Sequence, residues 1–437
     1  MVVLLRNFKN IFYVEELRKK LFFTLMVFTV YRLGVHITMP GVDLVALKSF
    51  FSGATSGMLW YLNMFSGGAL QYFSIFALGM SPYISSSIMM QLLTIMVPSL
   101  EQLSKDGEHG RRIIGQYTRY LTLLISLVQG LSMVMYIERQ PGLIITPGWQ
   151  FRVVSVFLMM VGSLFVMWLG EQINAHGLGN GSSMIIFAGI VSGIPSASIR
   201  LIETVRMGQS DPLLAIAFLV FALGVVSAVI FLEKGERKVP VQYAKRVVGN
   251  KLYGGQTSFI PLKLNPSGVV PVIFASAILG MPMTLAGMIA ARWPGVNAIV
   301  NTWFSYNSAF YNVLNAGLII FFAFFYTAII FNPVELAENL RKSGGFVPGL
   351  RPGAKTAQFF DYLLTRIGFP GALYLATLAI VPSLLSGSAF PLMFSGTSLL
   401  IVIGVGLDTS AQIESHLIER KYEGFLTTGR LKGRLNR

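Results

Sequence analysis

The chain has 437 residues, of which 54% are hydrophobic and only 12% charged, with a formal net charge of +15. With a mean hydropathy of +0.64 it lies outside the range of soluble globular domains. It has no cysteine, which excludes disulfides, thiolate metal sites and cysteine nucleophiles together.

The first twenty residues, MVVLLRNFKNIFYVEELRKK, are basic and amphipathic. The first long apolar run starts only near Leu21 and no small-residue cleavage pattern follows it, so a cleaved signal peptide is not expected. Apolar runs then recur near 21 to 38, 72 to 97, 120 to 137, 153 to 170, 183 to 199, 212 to 232, 268 to 291, 311 to 331, 368 to 386 and 395 to 414. A helix needs about 20 mostly apolar residues to cross roughly 30 Å of hydrocarbon, and uniform runs of this kind lack the alternation of a barrel strand. The expectation is an all-α polytopic membrane protein with ten transmembrane helices.

Between the first two spans, GMLWYLNMFSGGALQYF (57 to 73) is apolar but too short to cross, and Gly67 and Gly68 break it. Two placements fit: a half-inserted helix beside a cavity, or an interfacial helix on the outer surface. The second span holds Pro82, Ser85, Ser86, Ser87 and Gln91, and the seventh holds Pro271, Ser276 and Pro282. Such residues serve close helix packing, or else they line a path or a seam that parts. Arg32 and Asp408 are the clearest ionisable residues inside spans, where charge is expensive. For Asp408 the readings are structural pairing near the cytoplasmic interface and a proton relay.

With a cytoplasmic N-terminus, 27 of the 34 Lys and Arg residues fall on the cytoplasmic side, six on the other, and Arg32 lies within a span. This is the positive-inside asymmetry, and it puts both termini in the cytoplasm. Missing one span would swap the sides of every later loop and mix the charges. Ten spans divide into an N-terminal half, 1 to 200, and a C-terminal half, 201 to 437. Five is odd, so any repeat between the halves must be inverted.

Two cytoplasmic segments are long and basic: 233 to 267, with Lys234, Arg237, Lys238, Lys245, Arg246, Lys251 and Lys263, and 332 to 367, with Arg341, Lys342, Arg351, Lys355 and Arg366. Short basic clusters are explained by retention and anionic lipid alone. These loops also mix glycine, proline and aromatic residues, which suits recognition of a rigid anionic or acidic partner. His36, His109, His176 and His416 have no ligand spacing, and no GxxxxGK[ST] occurs. Any nucleotide-driven work must come from another component. An intramembrane enzyme is disfavoured, since the spans lack paired carboxylates or a metal-binding His pair.

NMFSGGAL (63 to 70), SPYISSSIMMQLLT (81 to 94), GRRIIGQYTRY (110 to 120), MWLGEQINAHGLGNG (167 to 181), YAKR (243 to 246), NPVELAENLRKSGGFVPGLRPG (332 to 353) and GTSLLIV (396 to 402) closely resemble the SecY family, channel subunits of the bacterial protein-translocation machinery. The resemblance runs from about residue 15 to about 425. It implies an inverted five-plus-five clamshell with a pseudo-twofold axis and an hourglass pore. It also implies a lateral gate between spans two and three on one side and seven and eight on the other, with Ser87, Gln129 and Ser276 on its edges. The re-entrant piece resembles the family's plug, about 58 to 71, comprising Met58, Leu59, Trp60, Leu62, Met64, Phe65, Gly67 and Gly68.

The pore ring carried over from the family is Met80, Ile84, Ser182, Ile186, Ile273 and Ile401. The family expects bulky aliphatics there, so Met80 is a flexible substitute and Ser182 a polar departure. Docking of a ribosome or of the SecA motor ATPase would fall to Lys245, Arg246, Lys251, Arg351 and Lys355, and GNKLY (249 to 253) lacks the adjacent basic residues often found in relatives. The implied partners are SecE-like and SecG-like small membrane subunits, signal-peptide-bearing preproteins and membrane lipids. The implied place is the bacterial cytoplasmic membrane, with no metal and no cofactor. A proton-coupled secondary transporter of a small solute, built on Asp408 and the broken helices, is the alternative.

Overall fold

A computed structural model describes residues 14–53, 63, 66–140, 142–208, 211–243, 246–248, 251–253, 257–289, 302–303, 308–385 and 396–428. The chain is mostly helical. Each expected apolar run has a helical counterpart: α1 (Glu15–Val35), α3 (Ser81–Met96), α5 (Gly107–Glu138), α6 (Trp149–His176), α7 (Gly181–Arg206), α8 (Pro212–Glu233), α9 (Val270–Ile289), α10 (Ala309–Ile330), α12 (Ala354–Leu385) and α13 (Gly396–Thr428). Shorter helices are α2 (Leu44–Gly53), α4 (Pro98–Lys105) and α11 (Pro333–Lys342).

Among the described residues, five helices are long and apolar enough to cross a membrane, or six when α3 and α4 count as one broken span. The others are shorter in their apolar stretch, as in Ala222–Glu233 and Val270–Pro282, or carry charge, as α1 does at Arg18, Lys19, Lys20 and Arg32.

Local chemistry sets several helix starts. Asn180, Asp211 and Asn332 each accept a backbone N–H of the following helix through the side chain, satisfying a donor that the first turn leaves orphaned. Proline follows Asp211 and Asn332 directly, at a position where its missing N–H is harmless. Between α3 and α4 the chain turns by 101° at Val97. Val97 is extended (φ −107°, ψ 112°) because Pro98 disfavours helical geometry in the residue before it.

The second apolar run was expected as a helix from residue 72, but α3 begins only at Ser81, and 66 to 80 is a chain of turns. Gly67, Gly68 and Gly79 take positive φ, and Asn63 and Ser66 offer side-chain oxygens to the backbone N–H groups of Gln71 and Leu70. These bonds compete with a helix. Irregular backbone of this kind is tolerated at membrane depth only where it is buried in protein or lines a water-filled cavity.

The main core joins α1, α3, α6 and α7 to α8, α9, α10, α12 and α13 through residues such as Val27, Ile84, Val166, Ile185, Val229, Ile273, Phe322, Leu375 and Ile401. Helix α9 packs on both α3 and α5, and α7 packs on α13. The two basic loops form one folded unit. Strands β1 (Glu236–Tyr243), β4 (Thr257–Lys263) and β5 (Gly345–Phe346) make a sheet in the order β4-β1-β5, while β2 (Arg246–Val248) and β3 (Lys251–Tyr253) pair as a separate hairpin. Antiparallel pairing of Gln242 with Phe346 and Tyr243 with Gly345 ties the first loop to the second. Below the sheet, Val239, Val241 and Leu262 pack against Leu340, Val347, Phe360, Leu363 and Leu364.

Candidate functional site

A small cavity lies where α3, α5, α7 and α9 meet, with a volume of about 40 Å³. Its wall carries four of the six ring residues expected from the family: Met80 and Ile84 at the head of α3, Ile186 on α7 and Ile273 on α9. All four are buried. Ser66, Ser81, Gln129 and Ser276 add polar atoms to the same wall, and Ala77, Leu78, Met133, Ala277 and Gly280 complete it. A water needs about 10–15 Å³ by this kind of measure, so the space holds only a few molecules.

Convergence follows from helical spacing. Met80 and Ile84 are four residues apart and share a face, and so do Ile273 and Ser276 at a spacing of three. Ser276 donates its hydroxyl to the Val272 carbonyl at 2.7 Å, so its polarity is spent within α9. No charged side chain lines this cavity, so it offers no charge that would hold a passing molecule.

The other two ring residues stand apart. Ile401 is fully buried in the same core cluster but is not on the cavity wall. Ser182 donates its hydroxyl to Asn180 Oδ1 at 2.7 Å at the start of α7, so it serves the helix cap and does not reach the cavity. Ile186, one turn further along α7, occupies the wall instead. Of the three gate residues, Gln129 and Ser276 line the cavity, whereas Ser87 accepts from Gln91 Nε2 at 3.3 Å and lies off the wall.

Of the plug segment, Met58, Leu59, Trp60, Leu62, Met64 and Phe65 lie outside the described residues. Gly67 and Gly68 are described, with φ of +65° and +87°, and the Gly68 N–H donates to the Asn63 carbonyl at 2.8 Å. In the basic unit, Arg351 and Lys355 are exposed at the head of α12, and Thr356 donates to the Arg351 carbonyl at 2.9 Å, fixing the backbone there. Arg246 and Lys251 belong to the β2–β3 hairpin, and Lys245 lies outside the described residues.

Asp408 lines a second, open pocket with Asn180, Ser183, Lys263, Thr409 and Gln412. Lys263 ends β4, so this carboxylate faces the base of the basic unit. Beside it Gln412 accepts from the Gly179 N–H at 2.9 Å, a polar bond across the seam between α13 and the turn before α7. Among the described residues no cluster of His, Cys, Asp or Glu could hold a metal.

Sequence reasoning missed Tyr31, Ser66, Met133 and Gly280. A tyrosine in an apolar helix and a glycine in a span carry no local signal, and Ser66 was seen only as part of a motif. Also missed was the pairing of the two loops, which depends on residues a hundred positions apart.

The SecY family model matches residues 74–410. Relatives described as protein translocase subunit SecY include that of Aquifex aeolicus, 42% identical over 96% of this chain and 98% of its own length, and that of Escherichia coli K12, 43% identical over 96% of each. The fold is that of a solved protein-conducting channel, with a TM-score of 0.65 at 16% identity over 95% of each chain. It also matches Sec61 in the canine ribosome-channel complex, with a TM-score of 0.62 over 95% of each chain. With a family match over most of its length and close relatives along nearly all of it, this chain belongs to the SecY family.

Proposed function

We propose that the cavity between α3, α7 and α9 is the resting constriction of this protein-conducting translocation channel. The chain is a translocase subunit and not an enzyme. What carries the reading is the convergence of Met80, Ile84, Ile186 and Ile273 on one space of about 40 Å³. Such a ring closes to water when empty and moulds around any extended chain when full, because soft unbranched and aliphatic side chains choose by shape alone. Packing of α9 on α3 and α5 is the closed position of the lateral gate, and parting those helices lets an apolar client segment move into lipid.

The surrounding assignments are part of the same proposal. The ten helices form the inverted five-plus-five clamshell, the segment 58 to 71 is its plug, and both termini face the cytoplasm of a bacterium, supported by the charge asymmetry of the loops. The folded basic unit docks the SecA motor or the ribosome. A ribosome-bound channel among the structural neighbours supports the second partner for that protein. SecE-like and SecG-like subunits complete the complex, preproteins bearing signal peptides are its clients, and anionic lipids flank it.

A photo-crosslinker in place of Ile273 tests the central assignment. With a preprotein arrested in transit, adducts to the client are expected from Ile273 and Ile84 but not from Phe231, which is 80% exposed on the outer face of α8. A trapped client that never links to Ile273 removes the cavity from the path.

The proton-coupled carrier finds no support, since the matched relatives are translocase subunits. Asp408→Asn is accordingly expected to leave preprotein translocation within about twofold of the unmodified channel, the scatter of a substitution with small energetic effect. Transport abolished by this change in vesicles would restore the carrier.

A further inference from the structure

Arg32 is an arginine at membrane depth that the channel reading leaves without a task. Its Nη1 donates to the Gly67 carbonyl at 2.8 Å. The residue before it, Tyr31, donates its hydroxyl to the Ser66 carbonyl at 2.9 Å. Two successive side chains of α1 therefore hold two successive carbonyls that lie 35 positions further along the chain.

Ser66 to Gly68 belong to no helix or strand, so no regular ladder serves their carbonyls. The Ser66 carbonyl takes the Ala69 N–H at 3.3 Å beside the shorter Tyr31 bond, while Arg32 serves Gly67, and an unpaired carbonyl away from water costs about as much as a lost hydrogen bond. Tyr31 is 1% exposed, and its ring stacks on Phe76 at 6.0 Å. An arginine in the last turn of a helix would ordinarily be explained by that helix's own terminal carbonyls. Here the guanidinium reaches across to Gly67 instead.

The other side of this segment is also fixed. Gly67 lies against α7 so closely that a Cβ there would sit 2.8 Å from the Gly189 Cα. Gly189 is three residues past Ile186, which lines the cavity, and Ser66 lines the cavity too. The Ser66–Gly67 backbone is thus gripped between two donors on α1 and the helix that carries a ring residue.

We infer that Tyr31 and Arg32 are positioning residues that clamp the Ser66–Gly67 wall of the cavity and so set how tightly the resting channel is closed. This rests on the reading of the cavity as the constriction. The clamp predicts a channel whose ion leak responds to two groups that touch no client.

The test is the resting ion conductance of the assembled translocase in planar bilayers, without motor, ribosome or client. Tyr31→Phe keeps the buried ring and removes only the hydroxyl, so loss of one neutral hydrogen bond should raise the frequency of conducting events about fivefold. Arg32→Ala removes a charge-assisted bond and should raise it about tenfold or more, with Arg32→Lys in between because an ammonium still reaches one carbonyl. A merely structural role would lower the thermal midpoint of the complex without moving resting conductance. Should Arg32→Ala fail to assemble, Tyr31→Phe carries the test alone. Conductance at the unmodified level in Tyr31→Phe overturns the clamp. Crosslinking from Ile273 separates the two ideas: adducts with no added leak sink the clamp and spare the constriction, whereas no adducts sink both.

Discussion

Replacing Arg351 by glutamate is expected to lower ATPase-driven translocation into reconstituted vesicles by about tenfold or more, because a charge-assisted contact worth about 1.5–3 kcal/mol becomes a like-charge repulsion against an acidic face. The arginine is exposed at the head of α12 and takes no part in the apolar cluster beneath the sheet. Folding should be untouched, since substitutions at such surface sites usually stay within about 0.5 kcal/mol. Its backbone is held by the Thr356 hydroxyl on its carbonyl, so the side chain is presented from a fixed point. Arg351→Lys should recover only part of the rate, because an ammonium cannot make the planar two-pronged contact of a guanidinium. Insertion yield and thermal midpoint serve as controls for folding. Unchanged translocation in Arg351→Glu would end the docking assignment.

Deleting residues 58 to 71 is expected to raise the resting ion conductance of the channel in planar bilayers by about tenfold or more, since at least two hydrogen bonds that hold the cavity wall are lost. The deletion removes Ser66 from the wall and takes away the acceptors of Tyr31 and Arg32. It leaves Met80, Ile84, Ile186 and Ile273 in place, so the ring alone must then exclude water. Translocation of a strong client should persist, because none of the basic unit is touched. A deletion channel as tight as the intact one would show that the aliphatic ring seals unaided and that 58 to 71 is no plug.

The helices were legible because membrane depth forces backbone groups to be satisfied within the segment, and apolar runs mark where that happens. Their ends were less so. Helix α5 starts at Gly107, well before the apolar run at 120, since GRRIIGQYTRY is helical but too polar to register as part of an apolar run. Helix α12 likewise begins at Ala354 and not at 368. The opposite error fell on 72 to 80, apolar enough for a span yet bent into turns by glycines and side-chain oxygens.

The basic loops hid a strand pattern that was present all along: Val239 and Val241 alternate with exposed neighbours, a period of two. What no local pattern could reveal was that β1 would pair with Gly345 and Phe346. The ring residues came from family resemblance, and the meeting of four of them at one cavity is a property of tertiary packing. Ser182 shows the limit of carrying positions over, since its hydroxyl had a nearer use in capping α7.

The proposed constriction, about 40 Å³ at rest, also sets a deadline. Even a modest domain has a radius of gyration near 13 Å for about 100 residues, far larger than the space between these helices at rest. A client must therefore reach the membrane before its own chain collapses. Small domains fold within microseconds to seconds, whereas synthesis runs at about 5–20 residues per second. The race is won only by clients that fold slowly, that are held open by a chaperone, or that are threaded while still being made. Export through this protein thus selects on the folding rate of its cargo, a property written nowhere in the channel's own sequence.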